Sequence, residues 1–531
     1  MRRRWIILAV QFLTPDEAVK WIKDSDTVST SGFASAALPE TLTSSLEQRF
    51  LSDGSPKNLT LFHCAGQGNA KGAGSDHFAH EGMVKRVVAG HFNMAPNLNK
   101  MVVDNKIEGY NLPQGTIAQL YRDIAAHRVG TITHVGLNTF VDPRNEGGKL
   151  NSKTTEDLVK LVEIDGQERL LYKAFPINVA LLRGTYADEK GNISLENEVC
   201  TSDVKLIAQA AKNSGGKVIV QVEKVLAEGA LNPKLVEIPS IYVDAVVIAN
   251  PEDRHQYFGS SYEFDPSLSG QMTAPTGNIG TIPLNQRKII ARRAAMELQP
   301  GAVVNLGIGI PEGISMVANE EGMGDYMTMT VEAGPIGGIP LGGSGFGASI
   351  NADAIFDEGA QFDFYDGGGL DLAYLGLAQV DQEGNVNVSK FGTRIAGCGG
   401  FINITQNAKR VFYCGTFTAG GLKIKTGDGK LTIVQDGKFP KFIDKVDQIT
   451  FSSAYAQKIK QPVLYITERA VFELREDGLY LTEIAPGIDL EKDVLSHMTF
   501  KPKIDQLKTM DERIFRDELM NLGNKQEAVH A

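Results

Sequence analysis

Large and polar side chains alternate over residues 326–331, with β-branched Thr328, Thr330 and Val331, and a two-residue period of this kind predicts a strand. The strand is predicted to end at Glu332, because Gly334, Pro335, Gly337 and Gly338 can neither fill a ladder nor continue a helix. The pattern therefore sets one carboxylate at the carboxyl end of a strand, directly before a Gly-rich turn. In open α/β sheets that is where ligands bind.

The same kind of punctuation recurs along the chain. Thr14-Pro15-Asp16-Glu17 forms a capping box with Pro at the first helical position, so a helix is predicted from Pro15 through Ala18, Val19 and Ile22. A strand over 27–31 runs into Gly32, and Pro39-Glu40 opens a second helix. In the second half Asn285 caps a helix that Pro300-Gly301 closes, a strand over 302–306 runs into Gly307-Ile308-Gly309, and Pro311-Glu312 opens the next helix. Asp188-Glu189-Lys190-Gly191-Asn192-Ile193-Ser194 returns as Asp381-Gln382-Glu383-Gly384-Asn385-Val386-Asn387. In both places an Ala-Lys pair follows about twenty residues on (Ala211-Lys212, Ala408-Lys409), before β-rich runs over 218–222 and 411–414. Two related halves explain the repetition.

Alternating helical patterns and short β-branched runs imply an α/β class, two related open α/β domains with mostly parallel sheets and the active site between them. The expected division is 1–250, a Gly/Pro/Ser-rich linker over 251–283, and 284–531 with the carboxylate-bearing turn. Val471 to Leu474, Asp477-Gly478 and Leu479 to Ile484 predict a late β-hairpin, and residues 524–531 a frayed tail.

Composition narrows the function. With 531 residues, 42% apolar and 22% charged, the chain has the make-up of a soluble enzyme of more than one domain. A formal net charge of −11 argues against nucleic-acid or anionic-membrane partners, which require a basic surface. No segment reaches membrane-spanning length, and Arg2-Arg3-Arg4 before a short apolar run imitates a signal peptide without its cleavage site, so a first strand is expected there. Cys64, Cys200, Cys398 and Cys414 are dispersed, which predicts reduced thiols, a cytoplasmic location and no metal site; His77 and His80 could share a helix face but lack a ligand pattern.

Besides the Glu332 turn, Gly307-Ile308-Gly309, Gly367-Gly368-Gly369 and Gly397-Cys398-Gly399-Gly400 are Gly-rich loops near predicted strand ends, suited to an elongated phosphate-bearing ligand. None is a P-loop, and Gly343-Ser344-Gly345-Phe346-Gly347-Ala348 lacks the strand that a dinucleotide fingerprint requires. In the first half, Asn111-Leu112-Pro113-Gln114-Gly115-Thr116 places an amide in a stiffened loop. With a carboxylate opposite, Gln114 is a candidate donor to an oxyanion.

Val331-Glu332-Ala333-Gly334-Pro335-Ile336-Gly337-Gly338, Pro113-Gln114-Gly115-Thr116, Asp366-Gly367-Gly368-Gly369-Leu370-Asp371-Leu372, Gly397-Cys398-Gly399-Gly400-Phe401 and Thr467-Glu468-Arg469-Ala470-Val471-Phe472 together resemble a class I coenzyme A transferase, over nearly the whole chain. Thr139-Phe140-Val141-Asp142-Pro143-Arg144, Gly147-Gly148-Lys149-Leu150-Asn151 and Ile484-Ala485-Pro486-Gly487-Ile488-Asp489-Leu490 are similar to the fused, single-chain acetate/propionate type, whose halves correspond to separate α and β subunits. The resemblance implies a CoA-transferase fold, Glu332 as nucleophile, Gln114 on the substrate side, a backbone donor near Gly32, and CoA-side glycines at Gly399 and Gly400. Gly307, Gly309, Gly368, Gly369 and Gly397 complete the expected CoA-binding set. Ala333-Gly334 stands where many relatives carry Asn-Gly, and Ser31-Gly32-Phe33 replaces a double-Gly loop.

The resemblance further implies exchange of CoA between short-chain acyl-CoA and free carboxylates (acetate, propionate, butyrate), with no tightly bound cofactor, CoA as substrate, and a homo-oligomer, a tetramer in relatives. An acyl-CoA hydrolase working from the same site, and a noncatalytic acyl-CoA sensor, are the alternatives.

Overall fold

The computed structural model describes residues 10–258, 260, 263–275 and 281–523. The basic start of the chain, most of its apolar run and the expected tail over 524–531 lie outside the described residues.

Two large sheets organise the molecule. The first has eight strands in the order Gln11–Leu13, Ala245–Ile248, Lys217–Val222, Val179–Arg183, Thr27–Thr30, Leu59–His63, Val84–Ala89 and Glu108–Asn111. Every neighbouring pair in it is parallel. An all-parallel sheet has to be covered on both faces, and the sequence supplies both covers. Val218, Val220 and Val222 join Tyr121, Ile117 and Ile207 on one side, whereas Ile219 joins Ala18, Leu42 and Leu61 on the other. The two-residue period of the strand thus feeds two cores.

The second sheet has ten strands, and its centre repeats the first: Met327–Thr330, Ala302–Leu306, Leu372–Gly376, Arg410–Cys414 and Val463–Ile466 are parallel in that order. One edge continues antiparallel through the predicted hairpin, Ala470–Arg475 with Gly478–Ile484. The other edge turns back at Pro335–Ile336.

The internal echo reappears in the hydrogen bonds. Asp188 Oδ1 accepts from the amides of Lys190 (3.0 Å) and Asn192 (2.9 Å), and its Oδ2 from Asn192 Nδ2 (2.9 Å). Asp381 accepts in the same way from Glu383 (3.1 Å), Asn385 (2.9 Å) and Asn385 Nδ2 (3.0 Å). Asp and Asn recur in both halves, and in each they close the same turn.

The structure departs from the expected pattern at several points. The helix opened by the Thr14 capping box stops at Val19, since the amides of Trp21 and Ile22 bond three residues back instead of four; Ile22 is nevertheless fully buried. The strand expected over 326–331 is Met327–Thr330, because the Val331 amide is taken by the Pro335 carbonyl (2.9 Å). The stretch read as a linker is packed where it is described. Gln256, Ser267 and Leu268 are buried, and the buried Arg183 guanidinium donates to the carbonyls of Asp253 and Arg254. Low periodicity there reflects irregular backbone held by side chains, which hydrophobic patterning does not report.

Candidate active site

The carboxyl ends of the parallel strands of the two sheets face a shared cavity of about 510 Å³. From the first sheet it is lined by Phe33, Ala65, His91 and Gln114, each a few residues past a strand end. From the second come Gly307, Glu332, Leu375 and the Gly397–Gly400 loop. The size is in the range of sites for drug-sized ligands, and the wall is mainly apolar.

Glu332 occupies the tip of a tight turn. Thr330 pairs with Ile336, the Gly334 amide bonds to the Val331 carbonyl at 3.0 Å, and Glu332 and Ala333 are left between them. Gly334 has φ +120°, and a Cβ there would fall 1.9 Å from the Phe356 carbonyl oxygen, so only glycine can make this turn. Glu332 is half-buried, with its open side toward the cavity. Burial pushes its carboxyl up to about 7, against the opposing effect of a hydrogen bond from the Gly400 amide. Gly400 also lies so close that a Cβ on it would sit 2.6 Å from Glu332 Oε2.

The loop carrying Gly400 is pinned to the first sheet. The Gly399 amide donates to the Gly90 carbonyl (2.7 Å), the Gln114 amide to the Gly399 carbonyl (2.9 Å), and the Cys398 amide to Asn111 Oδ1 (2.9 Å). These bonds join the strand ends Val84–Ala89 and Glu108–Asn111 to the second half and fix Gln114 beside the loop. The Gly399 N–H is thereby occupied, and the backbone donor nearest the nucleophile is that of Gly400.

Gln114 is nearly fully buried, and its Nε2 donates to Glu358 Oε1 at 2.7 Å. An amide nitrogen carries two protons, and the bond to Glu358 uses one of them. Gly307, Gly397, Gly399 and Gly400 line the cavity, and Gly309 follows Ile308, which does too. Gly32 is set back: its carbonyl accepts from Gln67 Nε2 (3.3 Å), and the amides of Phe33 and Ala34 are taken by Ala36 and Gly66. The bend at Gly32 delivers the Phe33 ring to the wall. Gly368 and Gly369 are placed elsewhere. Their amides bond to Tyr365 and Phe364 at the end of the helix Glu358–Asp366, before the strand Leu372–Gly376, whereas the cavity meets Leu375 and Gly376 at that strand's other end. These two glycines stop a helix.

Several lining residues carried no signal in the sequence reading, among them His91, Asn93 and Met94, and the 343–348 stretch, set aside as a dinucleotide site, brings Gly343 and Phe346 to the wall. His91 follows Gly90 after a buried strand, the same strand-then-Gly punctuation found at Gly32 and Gly307, so the pattern was available there. Its imidazole is held neutral by burial, which pushes it down to about 4. His77 and His80 are engaged with acids. Both ring nitrogens of His77 bond to carboxylates, Glu40 and Glu47, at 2.6 Å, and His80 bonds to Glu47 at 2.6 Å. No helix among the described residues is long and apolar enough to cross a membrane.

A carboxylate with one N–H donor, set in an apolar cavity where the parallel strands of two sheets meet, suits covalent acyl chemistry. Comparison with known proteins agrees with that geometry. The family model described as Coenzyme A transferase matches residues 12–249. The chain is 47% identical to the acetate CoA-transferase YdiF of Escherichia coli (strain K12) over 96% of both chains. It is 46% identical to the caffeate CoA-transferase of Acetobacterium woodii, over 96% of this chain and 98% of that protein. A crystal structure of the acyl-CoA transferase YdiF of E. coli O157:H7, a thioester complex with CoA, superposes with a TM-score of 0.92 at 45% identity, covering 97% of this chain and 98% of that one. With both halves on one chain and the match running end to end, the protein belongs to the coenzyme A transferase family in its fused class I form and is a CoA-transferase.

Proposed function

We propose that this enzyme moves CoA between short-chain acyl-CoA and free carboxylates, acetate, propionate and butyrate among them, by a ping-pong course through a glutamyl-CoA thioester on Glu332. The observation that carries the reading is Glu332 itself, the carboxylate that lines the shared cavity, at the tip of a glycine-locked turn with the Gly400 amide beside it. The names of the acetate and caffeate relatives support carboxylate acceptors, and the thioester complex of the third relative supports a covalent course.

The ionised Glu332 attacks the acyl-CoA carbonyl carbon, the C–S bond breaks, and an acyl-glutamyl anhydride and CoA thiolate result. The thiolate attacks the Glu332 carbonyl carbon of that anhydride, the first carboxylate leaves, and glutamyl-CoA remains. A second carboxylate attacks this thioester and expels thiolate, which then takes the new acyl group from the second anhydride and returns Glu332 as a carboxylate. No step consumes ATP, because one thioester is made as another is broken.

Each addition places negative charge on a carbonyl oxygen. The second N–H of Gln114 and the Gly400 amide are the donors proposed to meet it, and the loss of one such donor costs about 3–4 kcal/mol in the barrier. The apolar wall of Phe33, Ile308, Phe346 and Leu375 keeps water from glutamyl-CoA, which separates transfer from hydrolysis. The test is acceptor dependence: with acetyl-CoA alone the enzyme should bind CoA covalently and stop, and on adding propionate it should release propionyl-CoA. Steady loss of acetyl-CoA without an acceptor would make it a hydrolase.

A further inference from the structure

Beside Gln114, and outside the residues that line the cavity, lies a fully buried acidic cluster that the mechanism does not use. Glu358 and Asp203 are both at zero exposure, and oxygens of both carboxyls lie within 4.8 Å of one another and of Cys64 Sγ. Glu358 Oε1 accepts from Gln114 Nε2 (2.7 Å) and from the Cys64 thiol (3.2 Å), and the same thiol lies 3.0 Å from the Gln114 carbonyl. Ser202 Oγ bridges the acids, 3.3 Å from Glu358 Oε2 and 3.1 Å from Asp203 Oδ1. Among the described residues no cation pairs with either; Lys205, on the neighbouring helix, goes to Glu237 and Asp357.

Proton counting requires that at least one of the two acids be protonated. The Ser202 hydroxyl has one proton and two neighbouring carboxyl oxygens, so it can donate to one of them only, and must turn a lone pair to the other. That contact is favourable when the second oxygen carries a proton. A chain from Glu358 Oε2–H to Ser202 Oγ, and from Ser202 O–H to Asp203 Oδ1, satisfies every atom of the bridge; the reverse chain, with the proton on Asp203, does so too, and the larger rise that burial imposes on Glu358 selects the first. The first leaves Glu358 Oε1 as a carbonyl oxygen, which still accepts from Gln114 and Cys64.

We propose that Glu358 is a positioning residue that acts through Gln114, anchoring its amide as a neutral carboxylic acid so that one N–H is fixed toward the cavity without a second negative charge beside Glu332. Burial agrees, holding Glu358 well above the usual carboxylate range and Asp203 up at about 7. The charged form would be misplaced there, since an anion beside the oxyanion donor opposes the charge that the donor is meant to stabilise. The proposal rests on the covalent role of Glu332, and the test separates the two.

The experiment follows formation of the CoA adduct by stopped-flow quench and intact mass, in the full-length enzyme with acetyl-CoA. Glu358→Gln keeps the shape, the neutral charge, an acceptor for Gln114 and a donor to Ser202, and should keep the adduct rate within about threefold of the parent with the same acid limb. Glu358→Leu removes the anchor and should slow the adduct by about 100-fold, in the range for losing an oxyanion donor, with the KM for acetyl-CoA unmoved. In a Gln114→Ala background Glu358→Leu should cost almost nothing further, because it acts through Gln114. Three results overturn the proposal: a Glu358→Gln enzyme as slow as Gln114→Ala, a shifted acid limb in Glu358→Gln, or additive losses in the double variant. If Glu358→Leu does not fold, by its thermal midpoint, the two results on Glu358→Gln decide. A parent that forms no adduct refutes the Glu332 reading instead.

Discussion

Gly400→Ala tests how closely the backbone must approach the nucleophile. The residue sits at φ −82°, ψ 0°, which alanine adopts freely, so the substitution adds one methyl group and no backbone strain. At a helix N-cap the exchange of Gly for Ala costs about 0.5–1 kcal/mol, since glycine is tolerated there and alanine is not favoured. The methyl would lie 2.6 Å from Glu332 Oε2 and 2.8 Å from Phe362 Cζ. Phe362 is fully buried in the core of the second half and cannot retreat without repacking it, so the carboxylate must give way. Restoring ordinary contact moves it by roughly 0.8 Å. Displacement on the order of 1 Å costs about 100-fold in rate, near 2.7 kcal/mol. The assay is the rate of CoA adduct formation, with circular dichroism and a thermal scan to confirm the fold. Gly368→Ala is the control: its φ of +85° strains the helix stop by about 1–2 kcal/mol, yet nothing but the Asn407 oxygen lies near, at 3.8 Å, and it is far from the cavity wall, so the folded enzyme should turn over as the parent does. A Gly400→Ala enzyme within threefold of the parent would refute the reasoning, as would a Gly368→Ala enzyme that folds and fails.

Three further outcomes follow from charge. Glu332 must be ionised to attack, so kcat/KM should rise with pH and level off above about 7, and a plateau reached by pH 5 would contradict the burial of its carboxyl. The same raised value makes the ionised form costly to the fold: stability should fall as pH rises from about 4.5 to about 7, and Glu332→Gln should exceed the parent by up to about 3 kcal/mol at pH 8 and not at all at pH 4, by denaturant titration. His77, raised to about 9 by Glu40 and Glu47 despite its burial, should stabilise fully below pH 6.5 and lose that contribution as pH climbs through 9; His77→Gln should flatten the alkaline fall in thermal midpoint, and an unchanged fall would place its cause elsewhere.

Much of the architecture was legible because local chemistry dictated it. The Thr14 capping box, the Asn285 cap and the Asp-Gly hairpin each close hydrogen bonds within a few residues, and the β-rich run over 218–222, apolar almost throughout, marks a strand buried on both faces. The Asp188 and Asp381 turns repeat because each half needs the same turn. Of the site, Glu332 was visible from its place at a strand end and Gln114 from its stiffened loop. The Gly-rich loops could not be sorted by sequence: Gly368 and Gly400 look alike in composition, and only the direction of the parallel strands puts one at the cavity and the other at the opposite end. Glu358 was invisible for a different reason. Its partners Gln114 and Cys64 are 244 and 294 residues away, and a Glu opening a helix reads as an ordinary first-turn acid until the fold buries it.

The central claim is the covalent role of Glu332, and the most direct test is the intact mass of the protein after incubation with acetyl-CoA in the absence of an acceptor. The parent should gain the mass of CoA in thioester linkage, the Glu332→Gln protein should gain none, and propionate should discharge the adduct as propionyl-CoA. An adduct of equal size on the Glu332→Gln protein, or transfer to propionate by a parent that never carries one, would contradict the account.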